Sequence, residues 1–152
     1  KLLALVAILL CFAAFTMASN AAGKKFLEEN AKKEGVVVLP SGLQYKVLRK
    51  GDSNKSPLVN SPCECHYAGT LIDGTEFDSS IKRGKPSTFA PNQVIRGWTE
   101  AMQLMHEGDK WELYIPSELA YGDSQRGQYI TPGSVLIFTL DLLKIKGPSK
   151  TT

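Results

Sequence analysis

The side chains best suited to covalent or metal chemistry are few in this chain. Two histidines and three cysteines occur, and one pair, Cys65–His66, is adjacent. Neighbouring residues of a strand point to opposite faces, so this pair cannot act as nucleophile and base without a bulge. Cys63 and Cys65 lie at the upper limit of disulfide distance on a predicted strand and are interpreted as buried free thiols. With so few histidines, neither a metal site nor a cofactor is predicted.

The chain also carries thirteen aromatic side chains, namely six Phe, five Tyr and two Trp. Taken singly, Trp98 and Phe138 fit ordinary core packing, and Asp78 fits equally well as the cap of a turn. Tyr121 lies in a predicted loop and is harder to explain by packing. Together, such residues suit a pocket that binds an apolar ligand by shape rather than one that attacks it.

Alternating apolar residues predict the strands that would carry these side chains. The alternating sets are Leu43-Tyr45-Val47, Cys63-Cys65-Tyr67 and Trp111-Leu113-Ile115. Residues 53–62, rich in Ser, Asn and Pro, predict a loop. Ser134–Lys146 is apolar on both faces for most of its length, which places it near the centre of a sheet.

One segment follows a helical period instead. Trp98, Ala101, Met102 and Met105 share a helical face, and Gly108 is the predicted stop. One short amphipathic helix among about four to six antiparallel strands is an α+β fold. Because that helix covers only part of the sheet, a concave apolar site is expected where the two meet.

The first 21 residues predict a secretory signal peptide. Lys1 precedes an apolar run, Leu2–Phe15, and small residues follow around Ala18 and Ala21. The run is shorter than the roughly 18 residues of a spanning helix, so no stable membrane insertion is expected. Cleavage is expected after Ala18 or Ala21, with Ala21 favoured, and the protein is then secreted or extracellular.

The rest of the chain is predicted to form one domain. Residues 22–35 indicate a short helical arm that stops at Gly35, residues 36–147 the domain, and residues 148–152 a disordered tail. The net charge is +3, and 18 Lys and Arg are scattered among 15 acidic residues. Nucleic-acid binders usually cluster their basic residues on one face, so no nucleic-acid partner is predicted.

Four long segments resemble the FK506-binding family of peptidyl-prolyl cis-trans isomerases, in its order and spacing. They are CHYAGTLIDGTEFDSS (Cys65–Ser80), VIRGWTEAM (Val94–Met102), IPSELAYGD (Ile115–Asp123) and ITPGSVLIFTLDLLKI (Ile130–Ile145). The upstream Phe26–Gly51 is similar to the entry segment of the macrophage infectivity potentiator (Mip) group, and within it to the protozoan form with a short arm. The resemblance covers residues 26–146.

This resemblance implies a twisted antiparallel half-barrel wrapped around one helix, with a ligand pocket between them. Trp98 would be its floor, and the Ile95 N–H and Tyr121 hydroxyl would bind ligand carbonyls. Asp78 would be hydrogen-bonded to Tyr67 and oriented by Arg83. The implied binding residues are Tyr67, Phe77, Asp78, Phe89, Val94, Ile95, Trp98, Tyr121, Ile130 and Phe138, and the implied catalytic residues are Asp78, Tyr121, Trp98, Phe77 and Phe138.

The implied activity is rotation of X-Pro peptide bonds by a secreted enzyme that assists folding or remodels proteins, with a role in virulence also implied. Proline-containing peptides and proteins would be its substrates, and FK506 and rapamycin-type macrolides its inhibitors. A non-catalytic proline-binding or chaperone module is the alternative, followed by a surface protein in which the domain is incidental. Bacterial relatives dimerise through a long N-terminal helix, for which the segment before Gly35 is too short, so a monomer is expected.

Two departures from the family pattern fall beside the implied pocket. Ser87 stands where many single-domain members have an aromatic residue, and the loop Ser124–Tyr129 differs from the commonest form, with Arg126 and Gln128 near the rim. We expect the loop to change the preferred residue before proline more than the reaction itself.

Overall fold

The part of the chain that the structure describes, residues 18–152, contains three helices and nine strands in this computed structural model. The signal peptide predicted for residues 1–21 therefore lies mostly outside the described residues. The helices are α1 (Ala21–Asn30), α2 (Ser80–Arg83) and α3 (Arg96–Leu104). The strands are β1 (Val36–Val38), β2 (Gln44–Arg49), β3 (Lys55–Pro57), β4 (Cys63–Leu71), β5 (Glu76–Ser79), β6 (Ser87–Phe89), β7 (Lys110–Ile115), β8 (Leu136–Ile145) and β9 (Ser149–Thr151).

A seven-stranded antiparallel sheet forms the body of the described chain. Its order is β1-β2-β7-β8-β4-β5, and β6 pairs with the first residues of β4. Strand β8 lies between β7 and β4, as its long apolar sequence predicts. Its side chains alternate between fully and partly buried positions, because one face points to the core and the other is only partly covered.

Helix α3 packs on the concave side of this sheet and completes the predicted α+β fold. Trp98, Ala101 and Met102 are buried on its inner face. The helix ends at Leu104, earlier than the predicted stop at Gly108, because Met105 is already extended. The Asp109 carboxylate then accepts a hydrogen bond from the His106 N–H at 2.9 Å, which fixes the turn into β7.

The predicted disordered tail at residues 148–152 is wrong, since Ser149–Thr151 forms β9 and pairs with β3. That pairing also places a short strand inside the predicted loop at residues 53–62. Thr152 adds contacts of its own, with a hydroxyl oxygen 2.7 Å from His106 Nε2 and an N–H donated to the Asn54 carbonyl at 3.0 Å. Polar residues joined by backbone and hydroxyl hydrogen bonds have no hydrophobic period, so the sequence pattern does not reveal them.

Helix α1 docks on β2 through two buried amide side chains. Asn30 Nδ2 donates to Gln44 Oε1 at 2.8 Å, and Gln44 Nε2 donates to the Leu27 carbonyl at 2.9 Å. Asn30 is 1% exposed and Gln44 5%. The helix ends at Asn30, before the predicted stop at Gly35, whose φ of +82° serves instead the turn into β1. No helix within residues 18–152 is long and apolar enough to cross a membrane.

We predict that Asn30→Ala lowers the free energy of unfolding by about 1–3 kcal/mol, because it leaves the buried Gln44 amide oxygen without its donor. Urea denaturation followed by circular dichroism measures this change. Lys32→Ala, at an exposed position just after the same helix, is the control and should change stability by less than about 0.5 kcal/mol. Equal effects of the two substitutions would contradict the role given to this amide pair.

Candidate binding site

A cavity of about 500 Å³ lies where α3 meets the concave face of the sheet, as the fold predicts. It is lined by Tyr67, Asp78, Phe89, Gln93, Val94, Ile95, Trp98, Ala120, Tyr121, Arg126 and Phe138. A volume of this size is typical of sites for small ligands or short peptide segments. Among the lining residues only Asp78 and Arg126 carry charge, so most of the wall is apolar or aromatic.

Trp98 is the centre of an aromatic box. Tyr67, Phe89 and Phe138 all present their rings nearly perpendicular to the indole, with centroids at 5.2, 5.6 and 5.1 Å. Edge-to-face contacts of this kind are favourable and hold each ring at a fixed angle. Trp98 itself is only 4% exposed. Its indole N–H finds no hydrogen-bond acceptor among the described residues.

The position of Trp98 depends on how closely α3 approaches the sheet. Gly97 precedes it, and a Cβ at Gly97 would lie 2.6 Å from Ile115 Cγ2, so only glycine fits there without a shift. Gly69 on β4 has a matching role on the other side of the box. A Cβ there would lie 2.6 Å from Phe138 and 2.7 Å from Phe77.

Two predicted site residues, Phe77 and Ile130, do not line the cavity. Phe77 on β5 packs edge-on against Phe138 with centroids 5.5 Å apart, so it supports a wall from behind. Ile130 is 7% exposed and belongs to the core cluster. Both predictions placed the residue in the right region, but strand direction and depth of burial decide which side chains reach the cavity.

Gln93 and Ala120 line the cavity and were not predicted. Gln93 Oε1 accepts a hydrogen bond from the Ala90 N–H at 2.9 Å, which closes the short turn Pro91–Gln93 before α3. Ala120 ends the turn Ser117–Leu119 and directly precedes Tyr121. The Pro-Asn-Gln sequence just before the helix could have indicated a turn that brings Gln93 to the cavity. A small apolar residue such as Ala120 has no feature in the sequence that would indicate such a position.

Ile95 and Tyr121, the residues expected to bind ligand carbonyls, both lie at element ends beside the cavity. Ile95 is the N-cap of α3, and its own N–H lies outside the helical hydrogen-bond ladder. Tyr121 follows the Ser117–Leu119 turn and is fixed by a bond from the Gly122 N–H to the Ser117 carbonyl at 2.8 Å. Both residues are half-buried, and both line the same cavity.

Asp78, Tyr67 and Arg83 form one hydrogen-bonded group at the cavity wall. The Tyr67 hydroxyl donates to Asp78 Oδ2 at 2.8 Å, and Arg83 donates to Asp78 Oδ1 and, at 2.7 Å, to the Tyr67 hydroxyl oxygen. The guanidinium also lies 5.5 Å from the centroid of the Tyr67 ring. Arg83 ends α2, whose Ser79 side chain caps the helix by accepting from the Lys82 N–H at 3.2 Å.

Two opposing effects act on the Asp78 carboxyl. Burial opposes ionisation, but the hydrogen bonds from Tyr67 and Arg83 and the charge of Arg83 outweigh it, so the pKa of Asp78 lies below its ordinary value. Burial raises the pKa of Tyr67, against the hydrogen bond from Arg83. At neutral pH the group therefore contains a protonated Tyr67 hydroxyl and an ionised Asp78 carboxylate. Arg83 balances the charge of that carboxylate.

The cysteines and His66 stand apart from this site. Cys63 and Cys65 are free and buried, as predicted, and burial raises the pKa of Cys63 to about 11 and of Cys65 to about 12. Such thiols are poor nucleophiles at neutral pH. His66 Nδ1 lies 2.9 Å from the Ser80 hydroxyl, a different partner from that of the buried Cys65 thiol.

We predict that Arg83→Gln raises the pKa of Asp78, because it removes a donor and a positive charge. A carboxyl with a depressed folded-state pKa stabilises the fold above its unfolded-state pKa, and this contribution disappears as pH falls through the folded value. The variant should therefore begin acid unfolding at a higher pH. Carbon-13 NMR titration of the Asp78 carboxyl measures the pKa directly.

Lys82→Gln is the matched control for this titration. It removes the neighbouring cation, which pairs with Glu76 at 2.8 Å, and should leave the Asp78 titration unchanged. An unchanged Asp78 pKa in Arg83→Gln would refute the electrostatic role of Arg83.

Comparison with known proteins gives the site a family context. Residues 53–143 match the model of FKBP-type peptidyl-prolyl cis-trans isomerases, and residues 13–47 match the domain amino-terminal to it. The chain is 50% identical over 128 residues to the "Macrophage infectivity potentiator" of Trypanosoma cruzi, covering 84% of this chain and 65% of that protein. It is also 50% identical over 128 residues to the "Outer membrane protein MIP" of Legionella longbeachae, covering 84% and 54%.

Solved structures agree with the sequence comparisons. The crystal structure of FkpA from Escherichia coli superposes with a TM-score of 0.79 at 42% identity, over 84% of this chain and 59% of that one. The chain thus spans between about half and two thirds of the length of these relatives. The matched model covers the strands and the helix that build the aromatic box. The chain belongs to the FKBP-type peptidyl-prolyl cis-trans isomerase family.

Proposed function

We propose that this chain is a peptidyl-prolyl cis-trans isomerase that binds the X-Pro segment of a peptide in the aromatic box. The observation that carries the proposal is the set of three rings standing edge-on to Trp98 around a cavity of about 500 Å³. A box of this form fits a small, rigid, apolar ring such as that of proline. Membership of the isomerase family supports the same reaction.

The reaction needs no nucleophile, because the obstacle is the resonance of the X-Pro amide. Rotation about a peptide bond crosses a barrier of about 18–20 kcal/mol, and without a catalyst an X-Pro bond takes tens to hundreds of seconds. The twisted amide has lost resonance, so its carbonyl is less polar and needs water less than the planar one does. An apolar pocket therefore favours the twisted state.

Magnitudes show that desolvation cannot act alone. Removing the water of one carbonyl contributes about 1–3 kcal/mol, whereas a millionfold acceleration needs about 8 kcal/mol. The remainder must come from interactions that are stronger in the twisted state than in the planar one. A rigid wall and pre-oriented donors provide such interactions at little reorganisation cost.

The residues divide this work between them. We assign the proline ring to the face of Trp98 and the carbonyls on either side of it to the Ile95 N–H and the Tyr121 hydroxyl. Asp78 holds the Tyr67 ring at the wall through the 2.8 Å hydrogen bond between them. Phe77 lies behind Phe138 and acts as a positioning residue, and Ile130 supports the loop from the core.

An assay of X-Pro isomerisation, with and without FK506 or rapamycin, tests the proposal. The chain should accelerate isomerisation, and both macrolides should inhibit it. Tyr121→Phe should lower kcat/KM by about 2–10-fold, the range expected for one lost hydrogen bond. Tyr129→Phe, at a 43% exposed tyrosine outside the cavity lining, is the matched control and should not change kcat/KM.

Two results would count against this assignment. Tight macrolide binding without acceleration would favour the non-catalytic binding or chaperone module. Equal effects of the Tyr121 and Tyr129 substitutions would remove the Tyr121 hydroxyl from the mechanism while leaving isomerisation itself intact.

We propose further that the protein is exported and that its leader is cleaved after Ala18. The basic start and apolar run support export, as does the name of the Legionella longbeachae relative, an outer membrane protein. Cleavage at the favoured Ala21 would remove three contacts of the folded domain. The Ser19 hydroxyl accepts from the Ser117 N–H, the Asn20 N–H donates to the Gly133 carbonyl, and the Asn20 side chain caps α1.

The amino-terminal residue of the exported protein distinguishes these sites. We expect Ser19, measured by mass spectrometry on protein recovered outside the producing cells. An amino terminus at Ala22 would contradict the assignment, and full-length protein retained within the cells would contradict export.

We propose proline-containing proteins outside the cytoplasm as substrates, whose folding or remodelling the enzyme assists. The name of the Trypanosoma cruzi relative, a macrophage infectivity potentiator, supports a role in infection. A monomeric state is proposed because α1, Ala21–Asn30, docks on its own domain through the Asn30–Gln44 pair.

A further inference from the structure

The charge at the mouth of the cavity is unbalanced. Asp78 and Arg126 are its two charged lining residues. Asp78 is paired with Arg83 on one wall. Arg126, on the opposite loop, has no carboxylate within salt-bridge distance in the part of the chain that the structure describes. The mouth therefore presents one uncompensated positive charge to whatever enters.

The main chain holds Arg126 in place despite its exposure. Its N–H donates to the Ile130 carbonyl at 2.8 Å, and its carbonyl accepts from the Ile130 N–H at 3.2 Å. These two bonds close a tight loop whose base is anchored in the core by the buried Ile130. Gly127, with a φ of +59°, provides the left-handed conformation that this loop requires.

The side chain of Arg126 lies against a residue of the cavity wall. Its guanidinium carbon lies 5.0 Å from the centroid of the Tyr121 ring, within cation–π distance. Tyr121 is the residue to which we assign a ligand carbonyl. A peptide bound at Tyr121 thus has its residues next to proline beside a cation that is already oriented and loses little freedom on pairing.

We infer that Arg126 makes this site select proline segments that carry an acidic side chain next to the proline and disfavour those that carry a basic one. The inference rests on the proposed function, because it assumes that a proline peptide occupies the cavity. A guanidinium pairs well with a carboxylate and repels an ammonium group. The simpler alternative, a solvated arginine without influence on ligands, predicts no discrimination by charge.

The expected size of the effect follows from the exposure of Arg126. Exposed ion pairs contribute little, so each pairing or repulsion should change affinity only a few-fold. A preference for glutamate over lysine of about 3–10-fold in kcat/KM is therefore expected at low ionic strength. It should approach one at 1 M salt, where the Debye length is about 3 Å.

The test compares peptides that differ only in the residue before or after proline, with glutamate, alanine or lysine at that position. NMR exchange spectroscopy gives kcat/KM without a coupled protease, whose own specificity would interfere. At one of the two positions the wild-type protein should prefer glutamate to lysine. Arg126→Gln should bring that ratio to about one, and Arg126→Glu should invert it; the ratio is the readout, whatever happens to the absolute rates.

Arg96→Gln is the matched control. Arg96 is also an exposed arginine close to the site, but its guanidinium donates to the Glu118 carbonyl at 3.3 Å and does not line the cavity. This variant should keep the wild-type ratio. An equal loss of preference in Arg96→Gln and Arg126→Gln would assign the effect to general surface charge and overturn the inference.

Failure of the inference and failure of the proposed function give different results. If the wild-type protein accelerates the isomerisation of every peptide but the ratio of kcat/KM between glutamate and lysine peptides is near one, the role of Arg126 is overturned. The isomerase proposal is then unaffected. If no peptide is accelerated, the isomerase proposal fails. In that case the preference is measured as the ratio of the dissociation constants of the lysine and glutamate peptides, obtained by NMR shift titration. A ratio of about 3–10 supports the role of Arg126, and a ratio near one contradicts it.

Discussion

The close approach of α3 to the concave face of the sheet is the constraint on which the rest of the site depends. Contact at Gly97 and Ile115 leaves no room for a side chain between helix and strand, and this fixes the height of Trp98 in the cavity. Three rings from strands β4, β6 and β8 of the sheet then pack against one indole. Since native interiors are close-packed, a shift of the helix would disturb all three of these ring contacts at once.

Hydrogen bonds from polar groups make the packed wall of the cavity more rigid. The rings of the cavity orient Tyr67 by packing, and its hydrogen bonds to Asp78 and Arg83 fix the position of its hydroxyl as well. A hydrogen bond to a charged partner is stronger than one between neutral groups, so this wall is more rigid than packing alone would make it. Polar contacts also position Tyr121. The Gly122 N–H next to it donates to the Ser117 carbonyl, and the Arg126 guanidinium lies over its ring.

Much of this arrangement could be predicted from sequence, and the exceptions have physical causes. The helix around Trp98 and the central strand β8 follow from hydrophobic period, which is strong in both segments. The strand β9 in the tail could not be predicted in this way, because backbone and hydroxyl hydrogen bonds hold it and these leave no hydrophobic period in the sequence. Phe77 and Ile130 were placed in the site by resemblance, but lining a cavity depends on side-chain depth and direction, which residue order does not encode. The unpaired charge of Arg126 depends on which acids lie near it in space, and spacing along the chain cannot show that.

The pairing of β3 with β9 has a consequence for the order in which the domain forms. Lys55 lies opposite Thr151 in this ladder, so its two strands come from distant parts of the chain. Contacts of high sequence separation are slow to form because a long loop must close first. They also cannot form on the ribosome until the later strand has been synthesised. The same ladder is bonded to the turn after α3, where the Glu107 N–H donates to the Lys55 carbonyl at 2.9 Å. A chain that has not yet reached β9 therefore lacks the strand that pairs with β3 and the Thr152 hydroxyl that contacts His106, so the turn after the Trp98 helix gains these supports only after all the strands of the sheet have been made.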